Sequence, residues 1–270
     1  MANGKLDKET RKALLDARTM METIIKADAN EAETRRRIER FFDSLMGYDV
    51  FAHITREHSI HGIGDSDDYC DFAIQLERDN KIKPVIIVEI KKVNVDLSDK
   101  HVKQAASYAI NIGCEWILLT NGRDWQLYHI AFGQPPQAIL VDSWNLMLDD
   151  LYILGSKFEL IGYKNVKRGG LDQLWQKNAA LTAKSLLKIL LSEPSISMIR
   201  RELKRKEKIP LYPEEIVGGI RRLLNESAMS ELENMKIYLV RKQKTVSPKP
   251  TGDPNVAECN SPESVSERNI

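Results

Sequence analysis

The chain has 270 residues, 42% of them apolar and 29% charged, with a formal net charge of +1. That size and apolar content support one large domain or a core with a smaller companion, and the balanced charge excludes a globally basic nucleic-acid binder, so any nucleic-acid surface has to be local. Cys70, Cys114 and Cys259 show no metal spacing and exclude a disulfide framework. The polar start MANGKLDKETRK and the lack of an apolar run of about 18 residues predict a cytoplasmic protein with no membrane span.

In chain order, Leu14, Leu15, Met20, Met21, Ile24 and Ile25 recur at helical spacing and predict a helix over 5–27. A second helix is expected from Asn30 to Met46, with Asn30 as N-cap, Glu31 and Glu33 in its first turn and Gly47 closing it. Its inner stripe is Ile38, Phe41, Phe42 and Leu45, and Arg35, Arg36, Arg37 and Arg40 fall on its outer face. Strands follow at 50–60, 69–77 and 84–93, with the loop HGIGDSDD at 61–68. A helix is expected over 97–113, with Ser98 as N-cap and Gly113 just past its end. A hairpin over 116–130 turns at Asn121-Gly122, and a further strand covers 138–146. Beyond residue 148 the pattern is helical, clearest at 171–192, 195–208 and 213–225. Residues 244–270 have the composition of a disordered tail. The expected organisation is an N-terminal helix (1–28), a core (29–147), a helical region (148–243) and the tail. The fold class is α/β: a mixed sheet flanked by helices, with a C-terminal helical region.

The chemistry concentrates on one strand. Val85 to Val88 form an unbroken apolar run, as in a strand covered on both faces, and the run ends in Glu89-Ile90-Lys91. Alternation sends Glu89 and Lys91 to the same side. A hairpin centred on Asn80 sets Asp71 opposite Glu89, with Cβ atoms about 5 Å apart. Two carboxylates at that distance can share one Mg²⁺ or Mn²⁺, a hard cation that favours one or two carboxylates plus water and phosphate oxygens. The cation activates water for phosphodiester hydrolysis, and a neighbouring lysine orients that water or stabilises developing charge. An Asp, Glu and Lys near strand ends also form ordinary surface salt-bridge clusters, and E-x-K alone is common.

The flanking stretches are more specific. Asn30-Glu31-Ala32-Glu33-Thr34-Arg35, Tyr69-Cys70-Asp71-Phe72, Val88-Glu89-Ile90-Lys91-Lys92, Gln104-Ala105-Ala106-Ser107-Tyr108-Ala109 and Thr120-Asn121-Gly122-Arg123-Asp124-Trp125 occur in order over residues 30–130. In that order they resemble the N-terminal nuclease domain of type I restriction enzyme R subunits, in the PD-(D/E)xK superfamily. The resemblance implies a restriction-endonuclease-like fold and Asp71, Glu89 and Lys91 as catalytic residues. It also implies Glu31 as an accessory acidic residue near the metal, and Gln104 and Tyr108 as a Q-x-x-x-Y pair whose helix face helps hold DNA. Cys70 stands where the family motif has proline.

The remaining polar clusters have plainer explanations. The histidines His53, His58 and His61 lack the partners of a zinc site. Glu57 ranks below Glu31 as a further acidic group, and Asp65, Asp67 and Asp68 read as a solvated loop. Arg35 and Arg36, and Arg200, Arg201, Lys204 and Arg205 near 195–208, are candidate phosphate contacts; the plainer alternative is a solvated helix face. No G-x-x-x-x-G-K-[ST] loop occurs, so no ATP site is expected. The expected function is a Mg²⁺-dependent nuclease acting on DNA in a restriction or defence role. The alternative is a non-catalytic nucleic-acid-binding or assembly subunit that keeps the fold. The expected partners are DNA and a separately encoded translocase or specificity subunit, and a homodimer stays open.

Overall fold

The structure is a computed structural model that describes residues 6–61, 67–78 and 80–234, with only the backbone at 58–61, 67, 68, 227 and 231. Of the loop expected at 61–68, residues 62–66 lie outside the described residues, as do the segment 235–270 with Cys259 and the side chains of His58 and His61, whereas the backbone of His61, Asp67 and Asp68 is in strands rather than loop. The chain divides into two compact units, 1–175 and 176–270.

The first unit opens with α1 (Lys8–Lys26), whose N-cap Asp7 accepts from Thr10 N at 2.8 Å. The second helix, α2 (Glu31–Ser44), is capped as expected: Asn30 Oδ1 accepts from Glu33 N at 2.9 Å, and Gly47 closes the end at φ 69°. The strand expected from residue 50 begins only at Ile54. Asp49 Oδ1 instead accepts from Phe51 N and Ala52 N and caps a one-turn helix, α3 (Val50–His53). An aspartate side chain that bonds the backbone N–H groups two and three residues on offers them an alternative to a strand ladder, and here it prevails over β character.

Among the described residues six strands follow in one sheet of spatial order β1-β2-β3-β4-β5-β6: β1 (Ile54–His61), β2 (Asp67–Arg78), β3 (Lys81–Ile90), β4 (Trp116–Thr120), β5 (Asp124–Ala131) and β6 (Gln137–Asn145). All neighbours are antiparallel except β3 and β4, which are parallel and joined through α4 (Asp99–Ile112). The sheet is thus mixed, as expected. The register of β2 on β3 has a break. Near the turn Arg78 pairs with Lys81 and Gln75 with Pro84, whereas beyond it Ile74 pairs with Ile86 and Phe72 with Val88. Val85 is the extra residue. A proline, lacking the N–H a ladder needs, is well placed beside such a bulge.

The sheet separates two apolar layers. On one face Ile86, Val88 and Ile90 of β3 pack with Leu14, Met21, Ile38, Phe41 and Phe42 of α1 and α2. On the other, Ile87 packs with Ala105, Ala106 and Ala109 of α4. Helices α5 (Leu151–Leu160) and α6 (Tyr163–Lys167) and the start of α7 (Gly170–Ala180) also cover the first face through Leu154, Phe158, Ile161, Val166 and Leu171. The compact unit therefore continues to Trp175, past the residue-147 boundary expected from sequence. Trp125 lies at its centre, stacked on Trp144 (6.1 Å, 7°) and edge-on to Phe158 (5.2 Å).

The second unit holds α8 (Ala183–Leu190), α9 (Glu193–Glu207), α10 (Pro213–Arg221) and α11 (Glu226–Glu233) around Leu187, Leu191, Ile196, Ile216, Val217 and Leu232. The helix expected over 171–192 is broken because Thr182 starts a new one, its Oγ1 accepting from Ser185 N at 3.3 Å. No helix among the described residues is long and apolar enough to cross a membrane.

Candidate active site

Four elements meet where β3 ends. The ladder between β2 and β3 stops at Phe72↔Val88, and its continuation sets Asp71 across from Glu89. There the Asp71 side chain takes over from the backbone: its Oδ2 accepts from Ile90 N at 2.6 Å. On the other side β4 holds the strand end, with Glu89 opposite Leu119 and Lys91 N donating to Thr120 O at 2.9 Å. The first residues of α2 are fastened to the same segment. Thr34, fully buried, donates from Oγ1 to Asn30 O at 2.9 Å and accepts from Val93 N at 3.2 Å. Lys92 pairs with Asp28 at 2.6 Å, and Asn94 Nδ2 donates to Asp28 Oδ1 at 2.9 Å. Glu31 and Arg35, four apart and so on one face of α2, are thereby set beside the end of β3.

The side chains form a polar chain that runs from the buried Glu89 out to the exposed Gln104. Lys91 Nζ donates to Glu89 Oε1 at 2.7 Å and to Gln104 Oε1 at 3.3 Å, and Gln104 Nε2 donates to Tyr108 Oη at 2.9 Å. Asp71 and Glu89 are only 8% and 3% exposed. Glu89 Oε2 is buried with no hydrogen-bond partner among the described residues. Arg35 Nη2 ion-pairs Asp71 Oδ1, and its Nη1 lies 3.5 Å from Glu57 Oε1.

Burial dominates the electrostatics. It raises the Asp71 carboxyl against the pull of the Ile90 N–H and Arg35. Burial, with the Asp71 charge added, pushes Glu89 up to about 7 even though Lys91 opposes the shift. For Lys91, burial favours the neutral amine, but the bond to Glu89 and the charges of Glu89, Glu31 and Asp71 outweigh it, and the ammonium is held above its usual range. Like charges add to burial at both carboxyls, Glu31 at Asp71 and both Asp71 and Glu31 at Glu89.

Of the residues picked out in the sequence, Asp71, Glu89, Lys91, Gln104 and Tyr108 are brought together. Glu31 is close enough to act on the charges of Asp71, Glu89 and Lys91, but makes no hydrogen bond or ion pair among the described residues. No group of three His, Cys, Asp or Glu side chains that could hold a metal ion occurs among the described residues. The acidic centre is therefore a carboxylate pair with Glu31 at longer range. A pair with one orphaned buried oxygen suits a cation that keeps several water ligands, as Mg²⁺ does, and does not suit a tetrahedral zinc site.

Arg35, read from sequence as a phosphate contact, turns inward to Asp71. Arg36 stays outward and pairs with Glu33 at 3.1 Å. Arg200, Arg201, Lys204 and Arg205 are exposed on α9 of the second unit, with Arg205 bonded to Glu202 at 2.6 Å. Sequence reasoning misses the part of Thr34; its signal is a β-branched hydroxyl residue on the inner stripe of α2, between Glu31 and Ile38.

A carboxylate pair and a lysine at the end of the central strand of a helix-flanked mixed sheet define a restriction-endonuclease-like core. Residues 30–139 match a family described as Type I restriction enzyme R protein N terminus (HSDR_N). That stretch runs from the cap of α2 to the start of β6 and includes every residue of the polar chain above. It resembles the nuclease domain of R subunits, and the family points to a nuclease or restriction role. No curated protein and no solved structure matches the chain.

Proposed function

We propose that this chain is a Mg²⁺-dependent nuclease, with Mn²⁺ as a substitute, that hydrolyses DNA phosphodiester bonds in a restriction or defence system. The observation that carries the reading is the buried Asp71–Glu89 pair beside Lys91, with Glu89 Oε2 left without a partner among the described residues. A buried carboxylate oxygen without a partner is costly, and the cost is understandable where a ligand is to be held. Asp71 and Glu89 would hold the cation, with Glu31 adding charge from the first turn of α2. The cation, when bound, lowers the pKa of a water and withdraws charge from the phosphate.

The remaining work falls to the chain itself. Lys91 stays protonated and stabilises negative charge on the phosphate or orients the water. Gln104 accepts from Lys91 Nζ and fixes the ammonium, while Tyr108 fixes Gln104. Asp71 also holds the end of β3 in place, by accepting from Ile90 N. Arg36 and the α9 residues Arg200, Arg201, Lys204 and Arg205 are proposed contacts to the phosphate backbone. These 270 residues contain no phosphate-binding G-x-x-x-x-G-K-[ST] motif, so any translocation is proposed to be driven from outside them.

The test is incubation of the purified chain with supercoiled plasmid in Mg²⁺, in Mn²⁺ and in chelator. Nicking or linearisation that needs the divalent ion is expected. Cleavage that persists in chelator overturns the metal reading, and retention of plasmid without cleavage in either metal favours a binding subunit.

A further inference from the structure

Arg35 pairs with one of the two carboxylates read above as metal ligands. One arm of its guanidinium, Nη2, ion-pairs the buried Asp71 carboxylate, the other, Nη1, lies 3.5 Å from Glu57, and Nε is buried with no hydrogen-bond partner among the described residues. The two carboxylates differ sharply in setting, with the side chain of Asp71 9% exposed and that of Glu57 72%. Glu57 sits in β1 at φ 46°, where pairing passes from Arg56↔Phe72 to His58↔Cys70. A non-glycine residue in that conformation carries a conformational cost, and here it sets a carboxylate beside Arg35.

We propose that Arg35 is a built-in stand-in cation: it neutralises Asp71 in the metal-free chain and yields that carboxylate to a divalent ion by shifting its charge onto Glu57. This rests on the reading of Asp71 and Glu89 as a metal pair. A guanidinium stays charged at any relevant pH, so it cannot make way for a second cation by losing its proton. It has to move, and a largely hydrated carboxylate already within reach receives it with little further desolvation. Arg35 and the metal then compete for Asp71, while Glu57 favours the metal-ready arrangement. The two residues are positioning groups with opposite effects on the same equilibrium.

The test is titration of the full chain with Mn²⁺, without DNA, reading free ion by electron paramagnetic resonance. Arg35→Gln should bind Mn²⁺ roughly tenfold more tightly than the wild type, and Glu57→Gln several-fold more weakly. Unchanged or weaker binding by Arg35→Gln overturns the proposal. Should Arg35→Gln fail to fold, Glu57→Gln decides, since its exposed side chain tolerates the change: weaker binding supports the proposal, and equal or tighter binding overturns it. Asp71→Asn separates the two levels. Binding that Asp71→Asn removes but that ignores Arg35 and Glu57 overturns the stand-in alone. Binding that no variant shows, or that survives Asp71→Asn, overturns the metal pair and the stand-in with it.

Discussion

Glu89 Oε1 accepts a hydrogen bond from Lys91 Nζ at 2.7 Å, while the other oxygen of the same buried carboxylate meets no partner among the described residues. The lysine two residues along the chain therefore satisfies half of Glu89. Stability and chemistry pull in opposite directions at this residue, as they commonly do where a site is held ready for a ligand.

The first consequence is a stabilising substitution. In the metal-free chain Glu89→Gln removes a charge that folding has to bury, so the variant should be more stable than the wild type, by on the order of 2 kcal/mol at pH 8. The Glu89 pKa is raised from 4.5 to about 7 on folding. Its contribution to wild-type stability is thus greatest below pH 4.5, is lost as pH rises toward 7, and stays lost above that. The gap in melting temperature between variant and wild type should open over this window. Thermal denaturation in chelator at pH 5 and pH 8 checks it; an equal gap at both values contradicts the assignment of the shift to Glu89.

Divalent-ion binding should follow the same group. The cation needs the ionised carboxylate, so apparent Mn²⁺ affinity should rise by about tenfold per pH unit below the Glu89 pKa and level off above it. Titrations at pH 5.5, 6.5 and 8 provide the measurement. A flat profile across that range speaks against a proton on Glu89 competing with the metal.

Gln104 and Tyr108 should separate activity from stability. Gln104→Ala frees the Lys91 ammonium on one side and is expected to lower the cleavage rate about tenfold with the melting temperature nearly unchanged. Tyr108→Phe leaves Gln104 Nε2 without its acceptor and should cost about 1 kcal/mol, with a smaller effect on rate. Single-turnover kinetics and thermal melts on both variants check this; equal rate losses would argue that the pair acts on DNA directly.

Gly122 supports the fold from a distance. It lies at φ 87°, and a Cβ there would come within 2.2 Å of Met21 Cε on α1. Gly122→Ala should destabilise the chain by about 1–2 kcal/mol through the left-handed backbone, with Met21 moving aside. A melting temperature within error of the wild type contradicts this.

Much of this arrangement is legible in the sequence, for identifiable reasons. The β3 run and its E-x-K end mark a buried strand with a polar exit, and Asn30, Gly47 and Gly113 mark helix ends through backbone chemistry that is local. Setting Asp71 across from Glu89 assumes an uninterrupted ladder. In the structure the ladder near the turn is offset by one, and the extra residue Val85 restores the register before the site is reached. Pro84 is the only sequence signal for that break. The direction of Arg35 is not legible, because the outer and inner faces of α2 can be told apart by apolar spacing, but the edge facing Asp71 is polar on both sides. The extent of the first unit is hidden for a related reason. Leu154, Phe158 and Ile161 read as helical, but only their place in the same apolar cluster as Trp125 and Trp144, with Phe158 edge-on to both rings, shows that they complete the sheet's core.

The central claim is that the carboxylate pair and Lys91 cut DNA. Its most direct measurement is conversion of supercoiled plasmid in Mn²⁺ by the wild type beside Asp71→Asn, Glu89→Gln and Lys91→Ala, each shown folded by circular dichroism. Cleavage by the wild type and a loss of at least about a hundredfold in all three variants is the predicted result. Cleavage by the wild type that all three variants retain would contradict it.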